Sequence, residues 1–350
     1  MKAPLRVVAI GGGTGLSTLL SGLKRHARTI PESTTATKPP LDITALVTVT
    51  DDGGSSGRLR RDFDILPPGD IRNCMTALSE DTDLLSQLFQ YRFASGRGLK
   101  GHSFGNLFLT AMHQITGDFS QAVKLSSEIL AIRGRIFPAT SANVVLEATL
   151  QDGTTVRGES KISKSKQPIR SISIEPDDCE PLPETLEAIA QADLITLGPG
   201  SLYTSVIPNL LVRGVPEAIA SSRALKAYFV NLMWQPGETI NFTASRHVQA
   251  LNEHSGTKVI DCVVLNSATI PENLRRRYAQ AQVRPVENDF ETLTKLGVKV
   301  VTADLIGETA VSQNVRHDPA ALAEVVMDLA ARSRALQVRK QALAAKKKLQ

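Results

Sequence analysis

The stretch Leu5-Arg6-Val7-Val8-Ala9-Ile10-Gly11-Gly12-Gly13-Thr14-Gly15 decides the fold. Five of its first six residues are apolar and nearly continuous, which suits a strand covered on both faces rather than a half-exposed one. The run ends in a glycine cluster, and helical spacing of apolar residues follows over Leu16–Arg25. Strand, glycine turn and helix in that order form the first half of a parallel βαβ unit.

The same order recurs along the chain. Further strands are predicted at Ile43–Thr50, Leu194–Leu197, Ala227–Leu232, Val259–Leu265 and Val298–Ala303. Helices are predicted at Thr82–Tyr91, Phe104–Ile115, Phe119–Ile132, Pro183–Ala190, Pro216–Ser222, Phe242–Asn252, Pro271–Gln280 and Pro319–Leu336. This alternation predicts an α/β fold, a doubly wound and mainly parallel sheet. Residues 26–40, rich in Thr and Pro, read as a surface loop, while an Asp152-Gly153 turn within 143–175 predicts an inserted antiparallel β-hairpin. The expected organisation is one domain over residues 1–335, with a helical insert at about 69–132 and the hairpin insert at about 143–175. A basic, helical C-terminal tail over 336–350 completes it.

The net charge of +5 belongs to that end of the chain. Residues 331–350 hold seven Lys and Arg and no acid, so without them the rest of the chain carries −2. A nearly neutral body argues against a basic nucleic-acid-binding face, and an aromatic content of 4% leaves little for base stacking. The tail suits an acidic partner or a membrane surface, although a solvated, frayed end is the plainer reading. Cys74, Cys179 and Cys262 are far apart and lack ligand spacing, so reduced thiols are expected. The apolar run before the glycine cluster is too short for a signal peptide or membrane span, which makes a cytoplasmic location the expectation.

In an open parallel sheet, ligands bind beyond the carboxyl ends of the strands. Three predicted strands end there in glycine-rich turns: Gly11–Gly15, the segment Asp51-Asp52-Gly53-Gly54-Ser55-Ser56-Gly57, and Gly198-Pro199-Gly200-Ser201. Backbone N–H groups of such turns approach an anion without Cβ interference, and a following helix adds favourable dipole. Two such turns suggest a ligand with two phosphates. The pattern matches neither the dinucleotide fingerprint nor the Walker A loop, since Leu16 stands where a glycine would be needed and no Gly-Lys-Ser/Thr occurs. Asp51 sits where a dinucleotide fold places its ribose-binding acid, which keeps a nicotinamide-dependent oxidoreductase in view. Asp51 and Asp52 are also candidate Mg²⁺ ligands, and read equally well as a solvated acidic turn. Asp70, after Pro67-Pro68-Gly69, reads as a helix N-cap. Gly101-His102-Ser103-Phe104-Gly105 matches a nucleophile elbow in letters only, because no strand precedes it; Ser103 reads as an N-cap.

Taken together, GGGTGLSTLLSGLK at 11–24, TVTDDGGSSGRLR at 48–60, PPGDIRNC at 67–74, GHSFGNL at 101–107, LGPGSLYTSVIPNLL at 197–211, GET at 237–239 and VRHDP at 315–319 resemble the bacterial gluconeogenesis-factor (YvcK-like) family. That family lies within the 2-phospho-L-lactate transferase (CofD-like) superfamily. The resemblance implies a Rossmann-like fold and a cytoplasmic regulatory protein that binds UDP-sugars, notably UDP-N-acetylglucosamine. It also implies a role in growth and cell shape on gluconeogenic carbon sources, exerted through a protein partner; no reaction is assigned to that branch. By motif, the implied ligand-binding residues are Gly12, Gly13, Thr14, Asp51, Asn106, Gly200 and Ser201, with Tyr278 for stacking and Arg316 for phosphate. The transferase branch implies an alternative: Mg²⁺ on Asp51 or Asp52 and transfer of a phosphate-containing group. Self-association into a homo-oligomer is left open.

Overall fold

The structure, a computed structural model, describes residues 3–27, 39–80, 83–165, 167–306 and 314–348. Its strands are β1 (Leu5–Gly11), β2 (Leu41–Val47), β3 (Arg135–Pro138), β4 (Val145–Leu150), β5 (Thr155–Arg157), β6 (Ile169–Glu175), β7 (Leu194–Leu197), β8 (Leu225–Phe229), β9 (Cys262–Asn266) and β10 (Lys299–Ala303). The α-helices are α1 (Gly13–Leu23), α2 (Gly54–Phe63), α3 (Gly69–Leu78), α4 (Asp83–Gln90), α5 (Phe104–Thr116), α6 (Phe119–Ile129), α7 (Glu159–Ile162), α8 (Pro183–Gln191), α9 (Ile207–Leu210), α10 (Val215–Ser221), α11 (Ala244–Ser255), α12 (Glu272–Gln280), α13 (Phe290–Lys295) and α14 (Pro319–Lys348).

Seven strands form one sheet in the order β10-β9-β8-β7-β1-β2-β3, and every neighbouring pair is parallel. From β1 the chain steps outward to β2 and β3; from β7 it steps the opposite way to β8, β9 and β10. Right-handed crossovers therefore place α1 on one face and the helices that join β7 to β8 on the other. Consistent with this, α1 packs on α3 and α14, while α10 packs on α8 and α11 on α9. All of β7 and all of β1 except Arg6 are buried, as continuous apolar strands under two helical layers must be.

The α/β class and doubly wound sheet are as the sequence predicts, and the remaining differences have local causes. The strand β3 was not expected: it is four residues long and ends in Pro138, tolerated because β3 is the sheet edge. The helix α2 was not expected, because its first turn, Gly54-Ser55-Ser56-Gly57, reads as a loop, whereas α3 starts at Gly69, where the helical insert was expected to begin. The expected hairpin is a three-stranded antiparallel sheet, β4 pairing with both β5 and β6. His254 of α11 holds it to the main body: Nε2 accepts from Ile172 N at 3.1 Å while Nδ1 donates to Ala250 O at 2.7 Å, which requires a neutral ring. Most of the loop predicted at 26–40 lies outside the described residues. All three cysteines are buried and free.

The last helix continues to Lys348 rather than ending at Leu336, because residues 337–348 contain neither Gly nor Pro and are rich in Ala, Lys and Gln. Arg334 fastens it. Its guanidinium pairs with Asp193, whose side chain is 8% exposed, and donates to the carbonyls of Ala3 and Pro4. Asp193 also accepts from Arg6 N at 2.7 Å, so α14 is tied to the amino ends of β1 and β7 together. Among the described residues no helix is long and apolar enough to cross a membrane.

The pairing of β1 with β7 brings the turns after them into contact. A Cβ added at Gly15 would lie 2.3 Å from Pro199 O and 2.7 Å from Gly200 Cα. Gly15→Ala should therefore lower the thermal unfolding midpoint, at a cost of roughly 1–3 kcal/mol for an overpacked contact between backbones. The control is Gly117→Asn, a left-handed helix end with open space around it, which should leave the midpoint within a degree or two.

Candidate functional site

The strand order reverses between β1 and β7, and a cleft of about 540 Å³ opens at their carboxyl ends. Cavities of about 830 and 860 Å³ also exist, but at the amino ends of the strands, away from both glycine turns. Of the residues expected at the ligand, Gly12, Gly13, Thr14, Gly200, Ser201, Tyr278 and Arg316 line this one cleft. Asp51, Asp52 and Asn106 do not; they stand in the neighbouring wall.

The first turn begins α1. Gly13 adopts φ +60°, a left-handed conformation that glycine takes without cost, and its N–H donates to Asp70 Oδ2 at 2.8 Å. Asp70 is thus a cap, as its position predicted, but for α1 rather than for its own helix. The second turn opens a single π-helical turn, Leu202–Val206, in which both Ser205 N and Val206 N donate to Ser201 O at 3.0 Å. Such turns are rare and concentrate at functional sites.

The loop after β8 holds this second turn from behind. Glu238 accepts from Tyr203 N at 3.0 Å and from Thr204 Oγ1 at 3.1 Å. Gln235 Nε2 donates to Ser201 Oγ at 2.8 Å, and Asn231 Nδ2 donates to Gly200 O at 2.8 Å. Asn231 is itself fixed by Tyr228 OH at 3.1 Å. Of these supports, Glu238 lies in the GET motif at 237–239, while Tyr228, Asn231 and Gln235 were not singled out from the sequence; their signal is long-range contact, to which spacing along the chain is blind.

The wall beside the first turn is acidic. Asp51 Oδ1 accepts from Gly53 N at 2.8 Å, and Asp52 Oδ1 accepts from Ser160 N at 2.8 Å, joining the acidic turn to α7. Burial, then the charge of Asp51, pushes the Asp70 carboxyl up to about 6 against the favourable Gly13 N–H. Burial also raises Glu159 well above the carboxylate range, with Asp51, Asp70 and Glu238 adding to it. Glu238 is raised by burial despite its two donors. Such a group of carboxyls is relieved by holding protons or by a cation. Among the described residues, no set of three or more His, Cys, Asp or Glu side chains is placed to hold a metal. An Mg²⁺ ion here would take its remaining ligands from phosphate and water, as this ion commonly does.

Asn106 is 2% exposed and donates from Nδ2 to Ser55 Oγ at 3.1 Å, while Ser55 Oγ lies 2.9 Å from His102 Nδ1. Ser55 Oγ accepts from Asn106 and so has its own O–H free to donate to His102 Nδ1, and burial, which lowers the His102 pKa, favours the neutral ring that can accept it. This trio docks α2 against α5. Ser103 Oγ accepts from Asn106 N at 3.3 Å, the expected N-cap, and the chain before it is irregular, so the nucleophile-elbow match carries no nucleophile.

At the far rim, Tyr278 of α12 accepts from Val315 N at 3.2 Å, which sets Arg316 beside it. Arg316 is exposed and makes no ion pair among the described residues. Asp318 instead caps α14, accepting from Ala321 N at 2.7 Å. Next to them, His317 lines the cleft, and burial pushes its pKa down to about 4, leaving a neutral ring.

A carboxyl whose pKa is higher folded than unfolded binds more protons when folded, so its ionisation costs stability as pH rises through that window. For Asp70 the window runs from the ordinary 3.8 to about 6. Asp70→Asn, which keeps an acceptor for Gly13 N–H, should unfold at a higher temperature than the parent at about pH 8. The advantage should vanish near pH 4, where Asp70 is itself protonated; a constant difference across the range would show that its charge is not the cause.

Comparison with known proteins fits this geometry. The model of the family described as 2-phospho-L-lactate transferase CofD matches residues 7–306. The gluconeogenesis factor of Bacillus subtilis (strain 168) is 47% identical over 324 residues, covering 93% of this chain and 98% of that protein. The gluconeogenesis factor of Halalkalibacterium halodurans is 46% identical over 322 residues, covering 92% and 95%. A crystal structure of a Bacillus halodurans protein, described as a member of the upf0052 family, superposes with a TM-score of 0.85 at 45% identity, covering 93% of this chain and 99% of that one. The chain therefore belongs to the CofD family and, within it, to the gluconeogenesis factors.

Proposed function

We propose that the cleft binds a UDP-sugar, with UDP-N-acetylglucosamine as reference ligand, and that binding regulates a protein partner. The observation that carries this reading is the convergence of two glycine turns, each opening a helix, on one cleft. A diphosphate would lie across Gly12–Thr14 and Gly200–Ser201, met by N–H groups and helix ends rather than by a basic face. Tyr278 supplies one ring for a pyrimidine, and Arg316 supplies a planar fork for phosphate. Membership of the gluconeogenesis factors supports a role in growth on gluconeogenic carbon sources, to which the proposal adds a cytoplasmic location and an effect on cell shape.

The acidic wall favours a second reading, transfer of a phosphate-containing group with Mg²⁺ at Asp51. The metal would offset phosphate charge, while this chain's turns position the donor and Asn106 with Ser55 keeps the neighbouring helices in place. Asp51→Asn should then abolish consumption of a nucleotide-linked donor while leaving the fold intact.

Calorimetry with UDP-N-acetylglucosamine, UMP and NAD, each with and without Mg²⁺, separates the readings. The UDP-sugar should bind, NAD should not, and Tyr278→Ala should weaken binding by about 1–3 kcal/mol, the scale of one base stacked on one ring. Arg316→Ala should cost roughly tenfold or more, as loss of a charge-assisted contact does. Binding of NAD without the UDP-sugar would sink the proposal.

A further inference from the structure

A second large groove lies at the opposite, amino end of the sheet, between α14 and the starts of β8, β9 and β10. It encloses about 860 Å³ over an apolar floor that includes Leu225, Val301 and, from α14, Leu329 and Leu336. Its rim carries Arg223, Lys226, Lys258, Lys299, Arg332 and Lys340 against the single carboxylate of Asp261. Two of these cations are already matched, Lys226 by Asp261 at 3.7 Å and Arg332 by Asp328 at 2.9 Å. The other four make no ion pair among the described residues. Four like charges around one concavity repel one another, and an acidic occupant relieves that repulsion.

The floor also says what shape the occupant has. Leucines recur on α14 every seven residues, at Leu322, Leu329, Leu336 and Leu343. The first two are buried against the domain, at 0% and 5% exposure, and the last two stand at 56% and 55%. Leucines seven apart share one face of a helix, here a narrow apolar stripe flanked by Arg332, Ser333, Arg339 and Lys340, and such a stripe packs against the apolar face of another helix. Here the stripe runs past the edge of the domain with its outer half uncovered. A second copy of this chain would bring the same basic helix to it, like charge against like. A flat bilayer would reach the exposed leucines but not Lys258 and Lys299, which face α14 across the concavity.

We propose that this groove docks an acidic amphipathic helix of a partner protein. Its apolar side chains would lie along Leu329, Leu336 and Leu343, and its carboxylates would meet Arg223, Lys258, Lys299 and Lys340. This is helix-in-groove recognition with electrostatic register.

The test uses the full chain and a labelled synthetic amphipathic peptide of about five helical turns, Leu on one face and Glu on the other, read by fluorescence anisotropy. The peptide should bind, and more weakly as salt is raised. The combined reversal Lys258→Glu, Lys299→Glu and Lys340→Glu should weaken it roughly tenfold or more, and so should Leu336→Asp with Leu343→Asp, where the leucines are solvent-exposed and folding does not depend on them. Reversal of Arg97 and Lys100, on a distant exposed segment, should change nothing. The inference is overturned if the peptide does not bind, if a scrambled peptide of the same composition binds equally, or if the Arg97 and Lys100 reversal weakens it as much. It is equally overturned if phosphatidylglycerol vesicles or duplex DNA bind more tightly than the peptide and depend on the same three lysines, which would assign the surface to a membrane or a nucleic acid.

Discussion

The parallel pairing of β1 with β7 joins strands that are far apart in the chain, and the placement of both glycine turns follows from it. Each strand is followed by a helix that must leave at the carboxyl edge, and right-handed crossovers send the two helices to opposite faces. The turns are consequently left side by side with no helix between them. Their separation is set by backbone contact, since Gly15 lies against Pro199 and Gly200 with no room for a methyl group. At the other end of the same strands, Asp193 ties Arg6 and Arg334 together. The pair is thus clamped below by an ion pair and above by glycine.

Charge around the cleft is arranged by backbone rather than by side chains. The cleft has helix starts on one side and carboxyls on the other, and the two meet where Asp70 accepts from Gly13 N. The Gly13 N–H of the first turn is thereby already satisfied from within the protein. The same helix end that attracts a phosphate also stabilises the charged form of Asp70, while burial opposes it. The polar groups at the cleft are therefore mostly helix starts and carboxyls rather than a basic face, in keeping with a body of −2.

Much of the fold was legible because continuous apolar strands and glycine-ended turns are local signals. The run Leu194–Leu197 was placed to the residue, and Leu5–Ile10 to within one. The helix α2 was not legible, because Gly54, Ser55, Ser56 and Gly57 weaken every propensity-based reading of its first turn, whereas the Pro-Pro-Gly turn before Asp70 marked the start of α3. In the site, the residues that touch the cleft through backbone were legible as glycine. Asn231 and Gln235, which hold the cleft's shape, were not, because an amide in a loop has no distinguishing neighbour until the loop is folded against Gly200 and Ser201; Glu238 was marked by its GET motif but not its role. Asp51 and Asp52 illustrate the middle case: both stand in the wall beside the cleft, and one oxygen of each is taken by backbone, at neighbouring Gly53 and at the distant Ser160 of α7.

The basic end of the chain acquires a different meaning once α14 is seen whole. Thirty residues at 1.5 Å each make a rod of about 45 Å, rooted by Asp318 beside Arg316 at the cleft and fixed again by Arg334 near the amino edge of the sheet. Up to that second anchor, its leucines are buried and its role is structural. Beyond it, the same leucine repeat continues in solvent and the cations accumulate, so a face that began as core becomes a surface without changing its sequence pattern. The transition lies between Leu329 and Leu336, where the sheet ends beneath the helix. One continuous element thus starts just after Arg316 and His317 at the cleft and runs on to wall the groove at the opposite end of the sheet.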